Sequence, residues 1–351
     1  MLSDEQILKR IRDKIDHPVT GRELLQTLRV PGEQHQTFKR RITALVAAGA
    51  VPIAHGNDGG GSIRIPAAAC GLVGLKCTRG RLVTQEAGKA LPINIISDGV
   101  LTRTVRDTAN FFAEAEISYR NRKLPPIGQI SGPGKQRLHI GLMVDSIAGD
   151  PTCPQTRAAV EATAKQLSAL GHHVDVAQID LPQRFVDDFL LYWAMLAFFV
   201  SKFGLVLFPQ GFDRKQLDPL TLGLARYYQQ RFLKTPGMLR QLRKSQAHYA
   251  EVFSQFDVML TPVLAHTTPE LGYLGPAVDF DTQLERLLRY TTFTPANNAA
   301  GSPAISLPLG QAENGLPIGV QLNGRHGDER TLLELAFELE AEQPFLRLDQ
   351  V

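Results

Sequence analysis

The amino-acid sequence predicts an α/β chain, a mixed sheet flanked by helices and preceded by a small three-helix unit. Three observations lead there. A strand–helix–strand pattern occupies residues 138–179, a hairpin followed by an amphipathic helix fills 304–342, and three short helical patterns fill 4–48.

The first unit rests on apolar stripes. Ile7, Leu8, Ile11 and Ile15 repeat at helical spacing, and Ser3 with Gln6 forms a capping box. Thr20 with Glu23 opens a second helix through Leu24, Leu25 and Leu28. Pro31-Gly32 turns the chain, and a third helix carries Phe38, Ile42 and Leu45 beside Lys39, Arg40 and Arg41. After Gly49 the texture changes. Residues 138–144 read as a strand, 156–170 as a helix and 173–179 as the next strand, parallel to the first. Residues 258–261, 304–309 and 317–322 are further strands, the last two joined by the Asn314-Gly315 turn, and 330–342 is a helix. Residues 124–137 are a Pro- and Gly-rich connection. Residues 185–243 are rich in helix formers and are expected to cap the sheet. Their aromatics Phe185, Phe189, Trp193, Phe198 and Phe199 either pack the core, the preferred reading, or line an acyl pocket.

Composition narrows the setting. Apolar residues make up 43% of the 351 residues and charged residues 21%, ordinary for a globular protein. The whole net charge of +3 falls within residues 1–50, so only that segment favours an anionic partner. Three cysteines, Cys70, Cys77 and Cys153, form no paired framework and no metal-like spacing. With no signal-like leader, and with Asp187, Asp188, Ser201 and Lys202 interrupting the apolar stretch 185–208, a cytoplasmic protein without a membrane span is expected. No cofactor and no metal are expected.

The chemistry sits in Gly56-Asn57-Asp58-Gly59-Gly60-Gly61-Ser62-Ile63-Arg64-Ile65-Pro66. Glycines free the backbone, successive N–H groups can converge on one anion, and a serine beside them supplies a hydroxyl, the arrangement acyl transfer needs. The string lacks the Gly-Lys-Ser/Thr of a phosphate-binding loop, and Arg64 stands where a nucleophile elbow requires glycine. It is no dinucleotide fingerprint either, because Ile63 to Pro66 is expected to stop a helix from opening there.

From Asp58 to Lys76 the string resembles the signature of the amidase family. Residues 101–109, 256–262, 295–298, 301–306 and 315–321 agree in order, and residues 54–62 are most similar to hydrolases of cyclic nylon oligomers. The resemblance implies a hydrolase of carbon–nitrogen bonds in linear or cyclic amides. Ser62 would be the nucleophile and the N–H groups of Gly59, Gly60, Gly61 and Ser62 the oxyanion hole. Asp58 and Arg64 would brace the loop as an ion pair. Cys70 would be a small buried residue. His55 adjoins the loop, but a Ser–His mechanism is not the family's. The family relays the serine proton through a second serine to a lysine. The second serine belongs to a glycine-flanked segment that here falls at Gln36-Thr37-Phe38-Lys39-Arg40, and the lysine would lie earlier still. The nucleophile and oxyanion hole are thus expected without their proton relay, and little turnover with them.

Residues 17–25, 30–33 and 38–46 resemble the N-terminal winged-helix domain of ribonuclease R-type exoribonucleases. That resemblance implies a domain over 1–49 joined to an amidase domain over 50–351 that lacks its usual N-terminal portion. It also implies weak nucleic-acid binding through residues 34–48, with Lys39, Arg40 and Arg41 as contacts. A competing function is therefore a nucleic-acid-binding module on a catalytically silent body, or a truncated fusion with no function of its own. An oligomer or a partner is expected to cover the sheet.

Overall fold

The computed structural model describes residues 51–346, apart from 85, 148, 150, 180, 183 and 208–211. The three-helix unit expected over 4–48, and with it Lys39, Arg40 and Arg41, lies outside the described residues.

Eight strands make one sheet: β1 (Ile53–Asp58), β2 (Val73–Lys76), β3 (Ser97–Thr102), β4 (His139–Leu142), β5 (His173–Val176), β6 (Val258–Pro262), β7 (Ala304–Gln311) and β8 (Pro317–Gly324). Their spatial order is β1-β3-β2-β7-β8-β6-β4-β5. β4 runs parallel to β5 and β6, and the remaining pairs are antiparallel. The sheet is mixed, as expected. The strand–helix–strand unit is present, with α4 (Pro154–Ala169) between β4 and β5, and the β7–β8 hairpin turns at Asn314-Gly315 with Gly315 at φ +82°.

Period-two alternation sorts side chains onto two faces. Val258 and Leu260 of β6 join Val73, Leu75, Ile140, Ile305 and Val320 in a core covered by α3 (Val105–Ser118), α4 and α10 (Glu329–Glu342). Met259, between them, faces the other way. There it meets the cap helices α5 (Phe185–Leu207), α6 (Pro219–Gln229) and α7 (Thr235–Glu251) and the short α9 (Pro295–Ala300). Phe185 is buried in this second core, and Phe189, Trp193 and Phe198 pack against it half-buried. α5 is long and apolar enough to cross a membrane by length and composition alone, and it packs on α6 and α7.

α1 (Arg64–Cys70) lies directly on the sheet on this second face. The approach is allowed by missing side chains: a Cβ at Gly74 would sit 2.6 Å from the Ala67 Cβ, and one at Gly319 2.3 Å from the Ala68 Cβ. This helix corrects the sequence reading, which had Ile63–Pro66 preclude one. Pro66 falls in the first turn, where its missing N–H would have had no intrahelical acceptor, so it starts the helix without penalty. Among the described residues, α2 (Glu86–Lys89) and α8 (Phe280–Tyr290) complete the helices longer than a single 3₁₀ turn.

Candidate active site

β1 ends at Asp58, the chain turns through Gly59–Ser62, and α1 begins at Arg64. α1 has no side-chain cap at Ile63. Asp58 does that work from upstream. Its Oδ1 accepts the Gly61 N–H at 2.7 Å, and its Oδ2 accepts the Ile63 N–H at 3.3 Å. Arg64 closes the loop on itself, donating Nε to Asp58 Oδ2 at 2.9 Å and Nη2 to Oδ1 at 3.0 Å. Both side chains are fully buried.

A buried charge pair needs its remaining valences filled. Arg64 Nη2 donates to Asn298 Oδ1 at 2.7 Å, and Nη1 donates to Asn297 Oδ1 at 3.2 Å and Gln321 Oε1 at 3.0 Å. Asn298 returns its amide to Asp58 Oδ1, to the Asp58 carbonyl and to the Ile95 carbonyl, at 2.8–3.0 Å. Burial alone would raise the Asp58 carboxyl. Arg64 and the other donors outweigh it and hold the group at about 2.

Gly61 is the strained point of the turn, at φ +127°. Thr294 donates its hydroxyl to the Gly60 carbonyl at 2.6 Å. A Cβ at Gly61 would stand 2.5 Å from that same Oγ1 and 2.5 Å from Ile65 Cδ1. Gly61→Ala is therefore expected to lower the unfolding free energy by about 1–3 kcal/mol, the usual cost of a side chain forced into such a conformation, and more if the clash is not relieved. Urea denaturation checks it, and an unchanged midpoint would refute it.

Ser62 follows this braced turn and is exposed. Among the described residues no lysine amine and no second serine hydroxyl hydrogen-bonds its Oγ. Because Gly61's N–H is engaged by Asp58, the expected donor set loses that member and keeps Gly59, Gly60 and Ser62. Phe189 stands over the turn, its ring edge about as near as van der Waals contact to where a Cβ on Gly60 would be. His55 lies on the side of β1 opposite Asp58 and pairs with Asp98 at 3.3 Å. Cys70 and Cys77 have thiols raised by burial, Cys77 to about 12. Cys77 is buried, whereas Cys70, expected to be buried, is only half-buried against the cluster that holds Ile63 and Ala67.

Lys76 is the buried residue that the motif contained but to which sequence reasoning gave no role. Fully buried at the end of β2, its Nζ donates to the carbonyls of Ser302 at 2.9 Å and Cys77 at 3.0 Å, and to Ser97 Oγ at 3.3 Å. Burial, and next the charge of Arg64, lower its amine from 10.5 to about 7. The cage presents three oxygens to the amine, two carbonyls and the Ser97 hydroxyl, each accepting from Nζ. Between about pH 7 and about 10.5 the unfolded chain binds the extra proton, so stability is expected to rise with pH across that window. Below it both states hold the proton and the burial penalty is at full size. Lys76→Met should flatten the slope in denaturant titrations across the window, and equal slopes in the two proteins would refute the assignment.

Fold and site together define a class: an α/β scaffold that presents an exposed serine on a glycine turn braced by a buried Asp–Arg–Asn cluster. The chain belongs to the amidase family, whose profile matches residues 43–333. AmiC of Mycobacterium tuberculosis, which carries the name of an amidase, is 48% identical over 306 residues, covering 87% of this chain and 64% of AmiC. The 6-aminohexanoate-cyclic-dimer hydrolase of Paenarthrobacter ureafaciens is 31% identical over 334 residues, covering 86% of this chain and 65% of the hydrolase. A solved structure of a 6-aminohexanoate cyclic dimer hydrolase with substrate superposes with a TM-score of 0.76 at 26% identity, over 88% of this chain and 69% of that one. The chain thus spans about two-thirds of the length of these relatives or slightly less.

Proposed function

We propose that this chain presents Ser62 as the nucleophile of an amide hydrolase. The observation that carries the reading is the exposed serine at the end of a turn whose backbone is fixed by the fully buried Asp58–Arg64–Asn298 cluster. Acylation forms a bond from Ser62 Oγ to the amide carbon, breaks the carbon–nitrogen bond and releases the amine with a proton. Water then cleaves the ester. The N–H groups of Gly59, Gly60 and Ser62 are the donors we assign to the developing oxyanion, and preorganised donors of this kind account for much of such catalysis. Phe189 walls the site beside Gly60. The relatives named for 6-aminohexanoate cyclic dimer support amides, linear or cyclic, as the substrate class.

The serine proton needs an acceptor. In the family relay a second serine takes it, and the corresponding stretch here, Gln36 to Arg40, has no serine. We therefore propose slow turnover at a nucleophile that is otherwise correctly placed. A serine-directed fluorophosphonate tests the nucleophile: mass mapping should find the adduct on the peptide holding Ser62. An adduct on another residue, or none at saturating reagent, would overturn the reading.

A further inference from the structure

β1, which leads to Ser62, forms one edge of the sheet, and β5 forms the other. At that far edge β4 and β5 pair in parallel with His139 opposite His173 and Gly141 opposite Asp175. Paired residues share a face, and so do residues two apart on one strand. The register therefore gathers His139, His173 and Asp175 on one side of the sheet, although the histidines are far apart in sequence.

The three side chains converge on one point. His139 Nε2 lies 2.8 Å and His173 Nε2 2.9 Å from the same oxygen, Asp175 Oδ2. All three potential ligand atoms fall within 4.8 Å of one another. Around a tetrahedral zinc ion, with bonds near 2.0–2.2 Å, ligand atoms stand about 3.3–3.5 Å apart, so the two nitrogen–oxygen pairs open by roughly half an ångström while the widest separation in the cluster, up to 4.8 Å, closes by about an ångström, changes within the reach of exposed side chains.

The arrangement is held from below and open above. The His139 ring rests between the His173 ring, at 4.8 Å between centroids, and the Phe256 ring, at 4.6 Å. Its backbone N–H donates to Asp257 Oδ2 at 2.9 Å. The side chains of His139, His173 and Asp175 are 37%, 72% and 51% exposed, which leaves solvent access to any further coordination position.

We propose that His139, His173 and Asp175 form a binding site for a divalent first-row transition-metal ion, with zinc(II) as its best chemical fit. Two imidazoles and one carboxylate suit zinc, nickel or copper, whereas magnesium and calcium seek oxygen-only shells. In the metal-bound form each imidazole is neutral, with the Nε2 lone pair on the metal and the ring proton on Nδ1. Water completes the shell. The site is separate from Ser62 and does not depend on the amidase reading.

Zinc(II) titration of the full chain, stripped of metal and followed by calorimetry, tests this. The wild type should bind one zinc at this site. His173→Ala and Asp175→Ala should each weaken binding at least about tenfold, since even outer-shell losses cost that much, and His139→Ala with His173→Ala should abolish it. Circular dichroism of each variant without zinc checks its fold. In the wild type alone, zinc should protect His139 and His173 from diethylpyrocarbonate, read by peptide mass. The proposal is overturned by a wild type with no stoichiometric binding, by unchanged affinity in the double variant, or by histidines that zinc does not protect.

Discussion

Ser62→Ala is expected to abolish covalent labelling by a fluorophosphonate while leaving the fold intact. The hydroxyl is exposed and, among the described residues, makes no side-chain hydrogen bond, so its removal should change the unfolding free energy by no more than about 0.5 kcal/mol. The effect on labelling is all-or-none, because the adduct forms on the atom that is removed. The effect on turnover is graded. In a hydrolase with a complete proton relay, losing the nucleophile costs on the order of 10⁶ in turnover, and the oxyanion hole alone retains about 10³–10⁴ over water. On the proposed absence of the relay serine, the wild type should start low, since a serine whose proton lacks an acceptor is a poor nucleophile. The ratio between wild type and Ser62→Ala on an aryl amide should therefore fall well short of 10⁶. Labelling that survives in Ser62→Ala would remove Ser62 from the mechanism. Wild-type turnover on the order of 1–10³ s⁻¹ would retain Ser62 and instead sink the proposal of a missing relay.

How much of this was legible from sequence follows from which interactions are local. The strands at 138–144, 258–261, 304–309 and 317–322 stand out because they are short apolar runs bounded by turn residues. β1 and β3 do not. Their sequences, Ile53 to Asp58 and Ser97 to Thr102, are interrupted by Gly56, Asn57, Asp98 and Gly99, so no apolar run marks them. The helix α1 was misread because Pro66 looks like a stop signal until its place in the first turn is known. The candidate site divides the same way. Asp58, Ser62 and Arg64 fall within seven residues, so the pairing of Asp58 with Arg64 could be expected. The acceptors that complete Arg64 lie 233 to 257 residues away, on α9 and β8. Asn297, Asn298 and Gln321 stood in segments that resembled the family, yet nothing local marked them as partners of Arg64. The histidine pair at the far edge is more hidden still, since only strand register brings His139 to His173.

Arg64→Met is expected to be the most destabilising single change in the site region. Methionine keeps much of the apolar volume and removes the charge, leaving Asp58 fully buried with its amide donors and Asn298 but no counter-ion. Breaking a buried pair from one side typically costs about 3–5 kcal/mol, a large share of the roughly 5–15 kcal/mol that holds a domain together. Arg64→Lys should not rescue it. A lysine has no planar fork, and so cannot reach both Asp58 oxygens while also serving Asn297, Asn298 and Gln321. Removing both charges, as in Asp58→Asn with Arg64→Met, should be milder than the sum of the single changes, which a double-mutant cycle measures. The same pair should contribute to resistance against acid. Asp58 sits at about 2 in the folded chain against an ordinary 3.8. Its folded pKa is depressed, so its contribution is fully present above the unfolded value and is lost as pH falls from about 4 toward about 2. In Arg64→Met the carboxyl loses its counter-ion, and burial, the largest influence on it, acts with less opposition. Its pKa should then rise, and acid unfolding should begin at higher pH than in the wild type. Fluorescence of Trp193 followed across an acid titration provides the readout. Coincident acid transitions in the two proteins, or a loss of stability below about 1 kcal/mol in urea, a typical value for an ordinary substitution, would show that the cluster does not brace the turn beneath Ser62.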